Sequence, residues 1–244
     1  MVNLPVPDRV PLVALAWPHA SRLLPARYQA VDCFESIVDP GRHSQGEMLA
    51  RLADLTATSG AGDLKLLDPS KVLFGAGAGW ITPSFTLPRA ARFSTPRCGA
   101  FYVAEEIATS VEEVRHHIQQ DYRRERISGP MDLDYRALTV HVQGTFHDIR
   151  SKARNRPPWS TIYDPGSYGT SQAFADSLRA AGSGGITYAS VRRPEGACAA
   201  VFDPSTLRAC RHDTYLSFRW DGTAVVRIVE KRILPLSPNG NRAN

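Results

Sequence analysis

The chain has 244 residues, of which 43% are hydrophobic and 22% are charged, a balance that excludes a disordered chain and is typical of a soluble globular protein. This length is ordinary for one domain that contains both helices and strands. The formal net charge of +5 favours anionic partners. However, the densest basic group, Arg123, Arg124 and Arg126, has no aromatic residues interleaved with it. We therefore expect no direct nucleic-acid binding.

The sequence predicts neither a membrane segment nor a secretion signal. The apolar run at residues 10–17 is too short to cross a bilayer and lacks the basic start and cleavage site of a signal peptide. The four cysteines, Cys33, Cys98, Cys198 and Cys210, contain no Cys-x-x-Cys pair, so we predict neither a zinc ribbon nor a disulfide framework. We expect a cytoplasmic protein that has no membrane partner.

The first third of the chain is predicted to contain two helices and a turn. Apolar residues three or four apart predict a short helix at residues 31–38 and an amphipathic helix at residues 48–55. The Gly-x-Gly-x-Gly stretch at residues 75–79 lacks the x-x-G spacing, the lysine and the following helix of a phosphate-binding loop. We therefore predict a turn there, followed by a strand at residues 80–85.

A strand followed by a helix is predicted at the centre of the chain. The apolar run that ends at Tyr102 has the character of a strand. The apolar residues after it are spaced like one face of a helix: Ile107, Val111, Val114 and Ile118. At about 100° per residue, Glu112 lies roughly 140° from the centre of this apolar stripe. Glu112 is therefore predicted to face either solvent or a cleft.

The C-terminal half is predicted to contain several strands and one helix. Alternating apolar and polar residues predict a strand at residues 138–142, and a polar loop at residues 150–168 leads to a helix at residues 171–181. Two short strands are expected at residues 186–188 and 199–202.

The last predicted element is a β-hairpin at residues 215–229, with Asp221-Gly222 as its two-residue turn. Residues 235–244 are polar and are expected to form a frayed tail. No internal repeat or linker divides the rest, so residues 1–234 are predicted to form a single domain.

The usual enzyme motifs are missing: we find no His-Glu-x-x-His, no Gly-x-Ser-x-Gly and no Walker loop. Glu112 and His116 lie four residues apart on one predicted helix, but no third ligand is evident, so no metal site is predicted. The polar residues that remain lie near the ends of predicted elements: Arg22, Arg92, Tyr102, Glu112 and Ser190.

As a set, these residues resemble the pattern of the RES-domain family, which is named for an arginine, a glutamate and a serine spread along the sequence. The segment SRLLPARYQAVDCFESIVDP resembles the opening arginine segment of the family and supplies Arg22. The segment ARFSTPRCGAFYVA resembles its arginine-aromatic turn and tyrosine strand, and supplies Arg92 and Tyr102.

Two further segments carry the rest of the resemblance, which covers roughly residues 17–220. TSVEEVRHH supplies Glu112 as the signature glutamate and His116 in the histidine position. SQAFADSLRAAGSGGITYASVRRPEGACAAVFDP is the most specific match and supplies Ser190. The chain departs from the family in its STPRCG turn, where a more glycine- and aspartate-rich sequence is expected. The glutamate is also doubled, so Glu113 competes with Glu112 for the assignment.

The resemblance implies the toxin of a bacterial toxin–antitoxin pair, with an α+β fold like that of ADP-ribosyltransferases: a mixed β-sheet core with flanking helices. Such toxins consume NAD by breaking the bond between nicotinamide and ribose, through hydrolysis or phosphorolysis. NAD is then a substrate, and no prosthetic group or metal is implied. The usual partner is an antitoxin protein with an Xre-like helix-turn-helix domain.

The residue types suit this reaction, because cleavage of the bond passes through an oxocarbenium-like transition state that one carboxylate can stabilise. Nicotinamide leaves as a neutral molecule from a cationic ring, so no general acid is required. The resemblance implies Glu112, Arg22 and Ser190 as catalytic residues, and Arg92 and Tyr102 as NAD-binding residues. Chemically, the arginines suit the pyrophosphate, the tyrosine suits the nicotinamide ring, and the serine suits the carboxamide or ribose.

Two alternatives stay open. One is a protein mono-ADP-ribosyltransferase that uses NAD, and the other is a non-catalytic nucleotide- or protein-binding module with the same fold, which the altered STPRCG turn favours. The catalytic hypothesis makes a geometric prediction that separates it from a solvated helix face: Glu112 should line a cleft together with Arg22, Arg92, Tyr102 and Ser190.

Overall fold

The computed structural model of the chain describes residues 4–31, 62–152 and 154–232, and β-strands dominate these residues. The strands are β1 (Leu12–Pro25), β2 (Phe101–Ala104), β3 (Met131–Asp148), β4 (Gly185–Ala189), β5 (Ala197–Val201), β6 (Leu207–Trp220) and β7 (Val225–Lys231). Apart from Val31, the helices predicted at residues 31–38 and 48–55 lie outside the described residues, as does the predicted tail at 235–244.

The helices of the described residues are short, apart from two. They are α1 (Ala78–Ile81), α2 (Pro83–Thr86), α3 (Ile107–Arg124), α4 (Trp159–Ile162) and α5 (Gly169–Ala180). Single 3₁₀ turns occur at Pro7–Arg9, Leu64–Leu66, Pro69–Lys71 and Pro204–Thr206. Within the described ranges, no helix has the length and apolar character needed to cross a membrane.

The strands form one mixed sheet in the order β1-β2-β5-β4-β3-β6-β7. Neighbouring strands are antiparallel except for β3 and β4, which pair in parallel. Strand β1 also pairs with β3 along most of its length, so the pairings of β1, β2, β5, β4 and β3 close into a ring. Strands β6 and β7 extend from that ring. The predicted α+β fold, a mixed sheet with flanking helices, is confirmed.

The core lies on both faces of the sheet, because successive side chains of a strand point to opposite sides. In β5, Ala199 and Val201 belong to one buried cluster, which also includes residues of α1 and α2. Ala200 points the other way, into a second cluster with Phe174 and Leu178 of α5. The wholly buried character of β5 explains why its sequence is a continuous apolar run.

Helix α3 packs on the sheet through the apolar stripe that its sequence predicted. Ile118 is buried in a third cluster with residues of β1, β3 and β6, and Val111 and Val114 pack against the same cluster. Near the start of the helix, the buried hydroxyl of Ser110 donates a 2.9 Å hydrogen bond to the carbonyl oxygen of Ser21 in β1. This bond and the stripe together set the rotation of α3 about its axis.

The strand predicted at residues 80–85 is wrong, because α1 and α2 occupy this segment. A short apolar run does not distinguish a strand from a buried helix by its period alone. Gly77 begins α1 in a left-handed conformation (φ 86°), where a side chain would collide with the carbonyl oxygen of Cys210. Glycine at this position therefore allows both the close approach to the backbone of Cys210 and the left-handed conformation at the start of α1.

The predicted C-terminal hairpin is confirmed, but its turn is longer than expected. Trp220 pairs with Val225, so four residues rather than two connect β6 and β7. The carboxylate of Asp221 accepts hydrogen bonds from the amides of Thr223 (2.7 Å) and Ala224 (2.9 Å). This aspartate cap stabilises the longer turn in place of the tight Asp-Gly turn.

Candidate active site

A cavity of about 290 Å³ lies between α3, β1 and β2. Other parts of its wall come from the segment before β2, from the loop before α5 and from the ends of β4 and β5. The charged and aromatic residues that line it are Arg22, Arg92, Tyr102, Glu113, His117, Tyr168, Tyr188 and Arg192. Three of the predicted site residues therefore meet here, although they lie up to 80 residues apart in the sequence: Arg22, Arg92 and Tyr102.

The carboxylate in the cavity wall is Glu113, and Ser190 holds it in place. The Ser190 hydroxyl donates a 2.6 Å hydrogen bond to Oε1 of Glu113. The same hydroxyl accepts hydrogen bonds from the backbone amides of Arg192 and Arg193, each at 3.0 Å. A hydrogen bond to a charged carboxylate is stronger than one between neutral groups, so this contact restricts the side chain of Glu113.

The prediction that Glu112 lines this cleft is wrong. Its Oε2 accepts hydrogen bonds from Nε (2.9 Å) and Nη2 (2.6 Å) of Arg115 on the same helix. Glu112 lines a separate surface groove, next to β6 and β7. The two glutamates lie at similar angles on opposite sides of the apolar stripe, so periodicity alone cannot choose between them. The packing of α3 on the sheet turns Glu113 towards the cavity.

Ser190 is brought to the site, but its hydroxyl is already committed to protein groups. The residue is buried, with 4% of its surface exposed, and it follows directly after β4. Because its hydroxyl donates to Glu113 and accepts from two amides, it supports the carboxylate rather than facing a ligand. We therefore describe Ser190 as a positioning residue.

Arg22 is half-buried and presents a positive charge to the cavity. Its guanidinium carbon lies 4.3 Å from the centre of the Phe101 ring, and its Nη1 is inaccessible and has no hydrogen-bond partner among the described residues. Burial lowers the pKa of Arg22 to about 10, so the side chain stays protonated at neutral pH. A buried donor without a partner costs roughly 1–3 kcal/mol.

Arg92 lies in the cavity wall but also anchors a neighbouring loop. Its Nη1 donates hydrogen bonds to the carbonyl oxygens of Ile162 (2.9 Å) and Asp164 (3.0 Å). Its guanidinium lies 5.3 Å from the centre of the Tyr168 ring, which also lines the cavity. Arg92 thus ties the loop before α5 to the site, a role that its position in the sequence did not reveal.

The tyrosines form an aromatic wall of neutral side chains. The Tyr102 hydroxyl accepts a 2.9 Å hydrogen bond from the amide of Phe93, and burial raises its pKa. Tyr188 packs edge-on against Phe93, with 5.1 Å between the ring centres, and burial raises its pKa well above the usual value. Both phenols are therefore protonated at neutral pH and offer ring surface rather than charge.

The STPRCG turn at residues 94–99 is held firmly by α5. Gln172 donates 3.0 Å hydrogen bonds to the carbonyl oxygens of Ala91 and Ser94. Nη2 of Arg179 donates to the carbonyl oxygens of Phe93 (2.6 Å) and Gly99 (3.0 Å). These contacts fix the segment that carries Arg92 and supports Tyr102.

Several residues of the site were missed by sequence reasoning: His117, Tyr168, Tyr188 and Arg192. Tyr188 and Arg192 lie within two residues of Ser190, so the most specific segment of the sequence already contained them. His116, which the resemblance placed in the histidine position, does not line the cavity, whereas His117 does. The described residues contain no group of three or more His, Cys, Asp or Glu side chains that could hold a metal ion.

The comparisons with known proteins establish the family. The model of the RES domain matches residues 73–221, more than half of the chain, and the chain therefore belongs to the RES-domain family. The matched range includes Glu113 and Ser190, while Arg22 lies before it. The predicted membership is confirmed.

The other comparisons are more distant. No curated protein matches the sequence. Among solved structures, the chain is similar to one from the M. tuberculosis MbcT–MbcA toxin–antitoxin complex, with 12% sequence identity and a TM-score of 0.45. That similarity covers 85% of this chain and 89% of the other.

Proposed function

We propose that the protein is a toxin of a bacterial toxin–antitoxin pair that cleaves the nicotinamide–ribose bond of NAD, with Glu113 as the catalytic carboxylate. One observation carries this proposal: Ser190 holds the Glu113 carboxylate at 2.6 Å in the wall of a cavity that three arginines and three tyrosines also line. Membership of the RES-domain family supports the class of reaction.

In the proposed reaction, the bond between the ribose carbon C1′ and the nicotinamide nitrogen breaks, and its electron pair neutralises the pyridinium ring. Positive charge develops on the ribose, where the fixed carboxylate of Glu113 stabilises it. A nucleophile then adds to C1′ and loses a proton. With water, the products are ADP-ribose, nicotinamide and one proton.

The other cavity residues suit the rest of such a substrate. Arg22 carries a half-buried positive charge, which suits a pyrophosphate, and the Tyr102 ring offers a surface for the nicotinamide. The cavity volume of about 290 Å³ is at the lower end for small-molecule sites, roughly 300–1,000 Å³. We therefore propose that the reacting end of the dinucleotide lies inside and that its adenosine end extends outward.

The adjacent glutamates provide a matched test of this proposal. Purified protein is incubated with NAD in water, in phosphate buffer and in cell extract, and free nicotinamide is measured. We expect Glu113→Gln to reduce release on the order of 10²-fold or more, because the charge that stabilises the transition state is lost. Glu112→Gln, on the groove side, should retain the wild-type rate within about twofold.

Absence of nicotinamide release by the wild-type protein under all three conditions would contradict the proposal. So would a Glu113→Gln variant as active as wild type. Mass spectrometry of the second product identifies the acceptor: ADP-ribose indicates water, its phosphorylated form indicates phosphate, and a modified protein indicates the mono-ADP-ribosyltransferase alternative. The proposed antitoxin, an Xre-like helix-turn-helix protein, should relieve the toxicity of the chain when both are expressed together.

A further inference from the structure

We propose that Arg192 binds a phosphate group of the substrate, and that Ser190 positions this arginine and the catalytic carboxylate through one hydroxyl. This inference deepens the proposed function, because it assigns a recognition residue to the same cavity. Sequence reasoning gave the phosphate role to Arg22 and Arg92, and gave no role to Arg192.

The first observation is the shared anchor. The Ser190 hydroxyl donates to Glu113 at 2.6 Å and accepts from the backbone amide of Arg192 at 3.0 Å. Both Glu113 and Arg192 line the cavity. The position of the arginine backbone is therefore fixed relative to the carboxylate by two hydrogen bonds to a single oxygen atom.

The second observation is that the side chain of Arg192 has a donor to spare. Its Nε is buried and has no hydrogen-bond partner within the described part of the chain. Burial is the main cause that lowers the pKa of His116, and the positive charge of Arg192 is the next. The guanidinium forms no hydrogen bond or ion pair with another side chain of the described residues, and a guanidinium of this kind in a cavity wall suits an anion.

The neighbouring Arg193, in contrast, has hydrogen-bond partners within the protein. Nη1 of Arg193 donates to the carboxylate of Glu106 at 2.6 Å and to the hydroxyl of Thr109 at 2.9 Å. Arg193 lines the surface groove only, whereas Arg192 lies between the two and lines both the groove and the cavity. Of two consecutive arginines, Arg193 has its partners within the protein, whereas Arg192 lines the cavity as well as the groove and has no carboxylate partner among the described residues.

Arg92 is less suited to the phosphate role, because its Nη1 already donates to two carbonyl oxygens. Arg22 and Arg192 instead each carry a buried guanidinium nitrogen without a partner among the described residues. They approach the cavity from different elements, β1 and the loop after β4. Since both arginines line the cavity, phosphate oxygens bound there would accept from their other N–H groups, because arginine bonds phosphate through its planar fork.

Truncated substrates test the inference through activity. Nicotinamide release is measured with NAD, with nicotinamide mononucleotide and with nicotinamide riboside, which has no phosphate. Arg192→Gln should lower kcat/KM for NAD and the mononucleotide roughly 10- to 100-fold, mainly by raising KM, and should leave the riboside rate unchanged. The control Arg193→Gln should behave like wild type with all three substrates. An equal loss on all three substrates would show a structural role and overturn the inference.

A binding experiment separates this inference from the proposed reaction. Inorganic pyrophosphate is titrated into the wild-type protein, Arg192→Gln, Arg192→Lys and Arg193→Gln, and its affinity is measured by calorimetry. Arg192→Gln should bind at least about tenfold more weakly, Arg192→Lys should recover part of the affinity, and Arg193→Gln should match wild type. No binding by wild type, or equal binding by Arg192→Gln, would overturn the inference. Because no turnover is needed, a failure of nicotinamide release alone contradicts only the proposed function.

Discussion

The two sides of α3 carry adjacent glutamates in contrasting environments. On the groove side, Glu112 pairs with Arg115 of the same helix, and their side chains are 32% and 43% exposed. On the cavity side, Glu113 is bonded by Ser190, a residue 77 positions away in the sequence. The first pairing is local and needs only the helix, whereas the second exists only when the sheet and the helix have packed together.

The comparison shows that the hydrogen-bond partner of a carboxylate decides whether its negative charge is available to a ligand. The charge of Glu112 is balanced by an arginine of its own helix, so this carboxylate would stabilise a developing positive charge only weakly. Among the residues that the structure describes, Glu113 has a hydroxyl donor but no ion-pair partner within 4 Å. Its negative charge is held in place and remains available to a ligand, as the proposed transition state requires.

The largest effect of the three further substitutions is expected at Ser190, which holds Glu113 on the cavity side of α3. Ser190→Ala removes the donor to Glu113, so we expect nicotinamide release to fall roughly 10- to 100-fold. Ser183→Ala is a matched control at the other end of β4, because the Ser183 hydroxyl also caps a turn, donating to the carbonyl oxygen of Gly185. Steady-state rates and melting temperatures of both variants check this. Equal losses of activity would contradict a specific role for Ser190.

A smaller effect is expected where the rotation of α3 is fixed. Ser110→Ala removes the buried hydrogen bond to the carbonyl oxygen of Ser21 and should lower the free energy of unfolding by about 1 kcal/mol. Activity should fall as well, because the helix can then turn Glu113 away from the cavity. Ser177→Ala, whose hydroxyl bonds within its own helix, should cost less than about 0.5 kcal/mol. Urea unfolding measures both, and an unchanged stability of Ser110→Ala would contradict the anchoring role.

The smallest effect concerns pH and His116. Burial, followed by the charge of Arg192, lowers the pKa of His116 from its ordinary value of 6.5. As pH falls through 6.5, the unfolded chain therefore binds a proton that the folded chain does not, and the free energy of unfolding decreases. His116→Gln should make this decrease shallower between pH 7.5 and 5.5. Part of the decrease should remain, because burial also lowers the pKa of His147.

Urea unfolding of wild type and His116→Gln at the two pH values checks this prediction. If the decrease in the free energy of unfolding is the same for both proteins, His116 does not contribute. A steeper decrease for the variant would reverse the expected sign and contradict the burial of the neutral imidazole.

Much of the fold could be predicted where the apolar period was clear. The stripe at Val111, Val114 and Ile118 predicted α3, and the alternation at residues 138–142 predicted the centre of β3. The strand predicted at residues 80–85 was wrong because Ile81 and Phe85 are buried by packing against the sheet, which the sequence does not show. Local pattern could identify an apolar segment there, but not its conformation.

The sequence predicted which residues form the site more readily than how those residues are oriented. The resemblance brought together Arg22, Tyr102 and Ser190, and the structure places all three around the cavity or its carboxylate. It did not choose between Glu112 and Glu113, since they have the same chemistry and nearly the same angle from the stripe. It also gave no role to Arg192, because the missing partner of that side chain is seen only when its surroundings are known.

Because Ser110 is hydrogen-bonded to β1, an insertion or deletion just after it would change which residue of α3 faces the cavity. The anchor fixes the helix at Ser110, and the carboxylate in the cavity lies three residues further along. One residue inserted between Ser110 and Val111 would bring Glu112 to that third position, so a carboxylate would still face the cavity. Deletion of Val111 would bring Val114 there instead. The doubled glutamate therefore keeps a carboxylate at that position after the insertion but not after the deletion, although either change also moves the apolar stripe of α3 by one position.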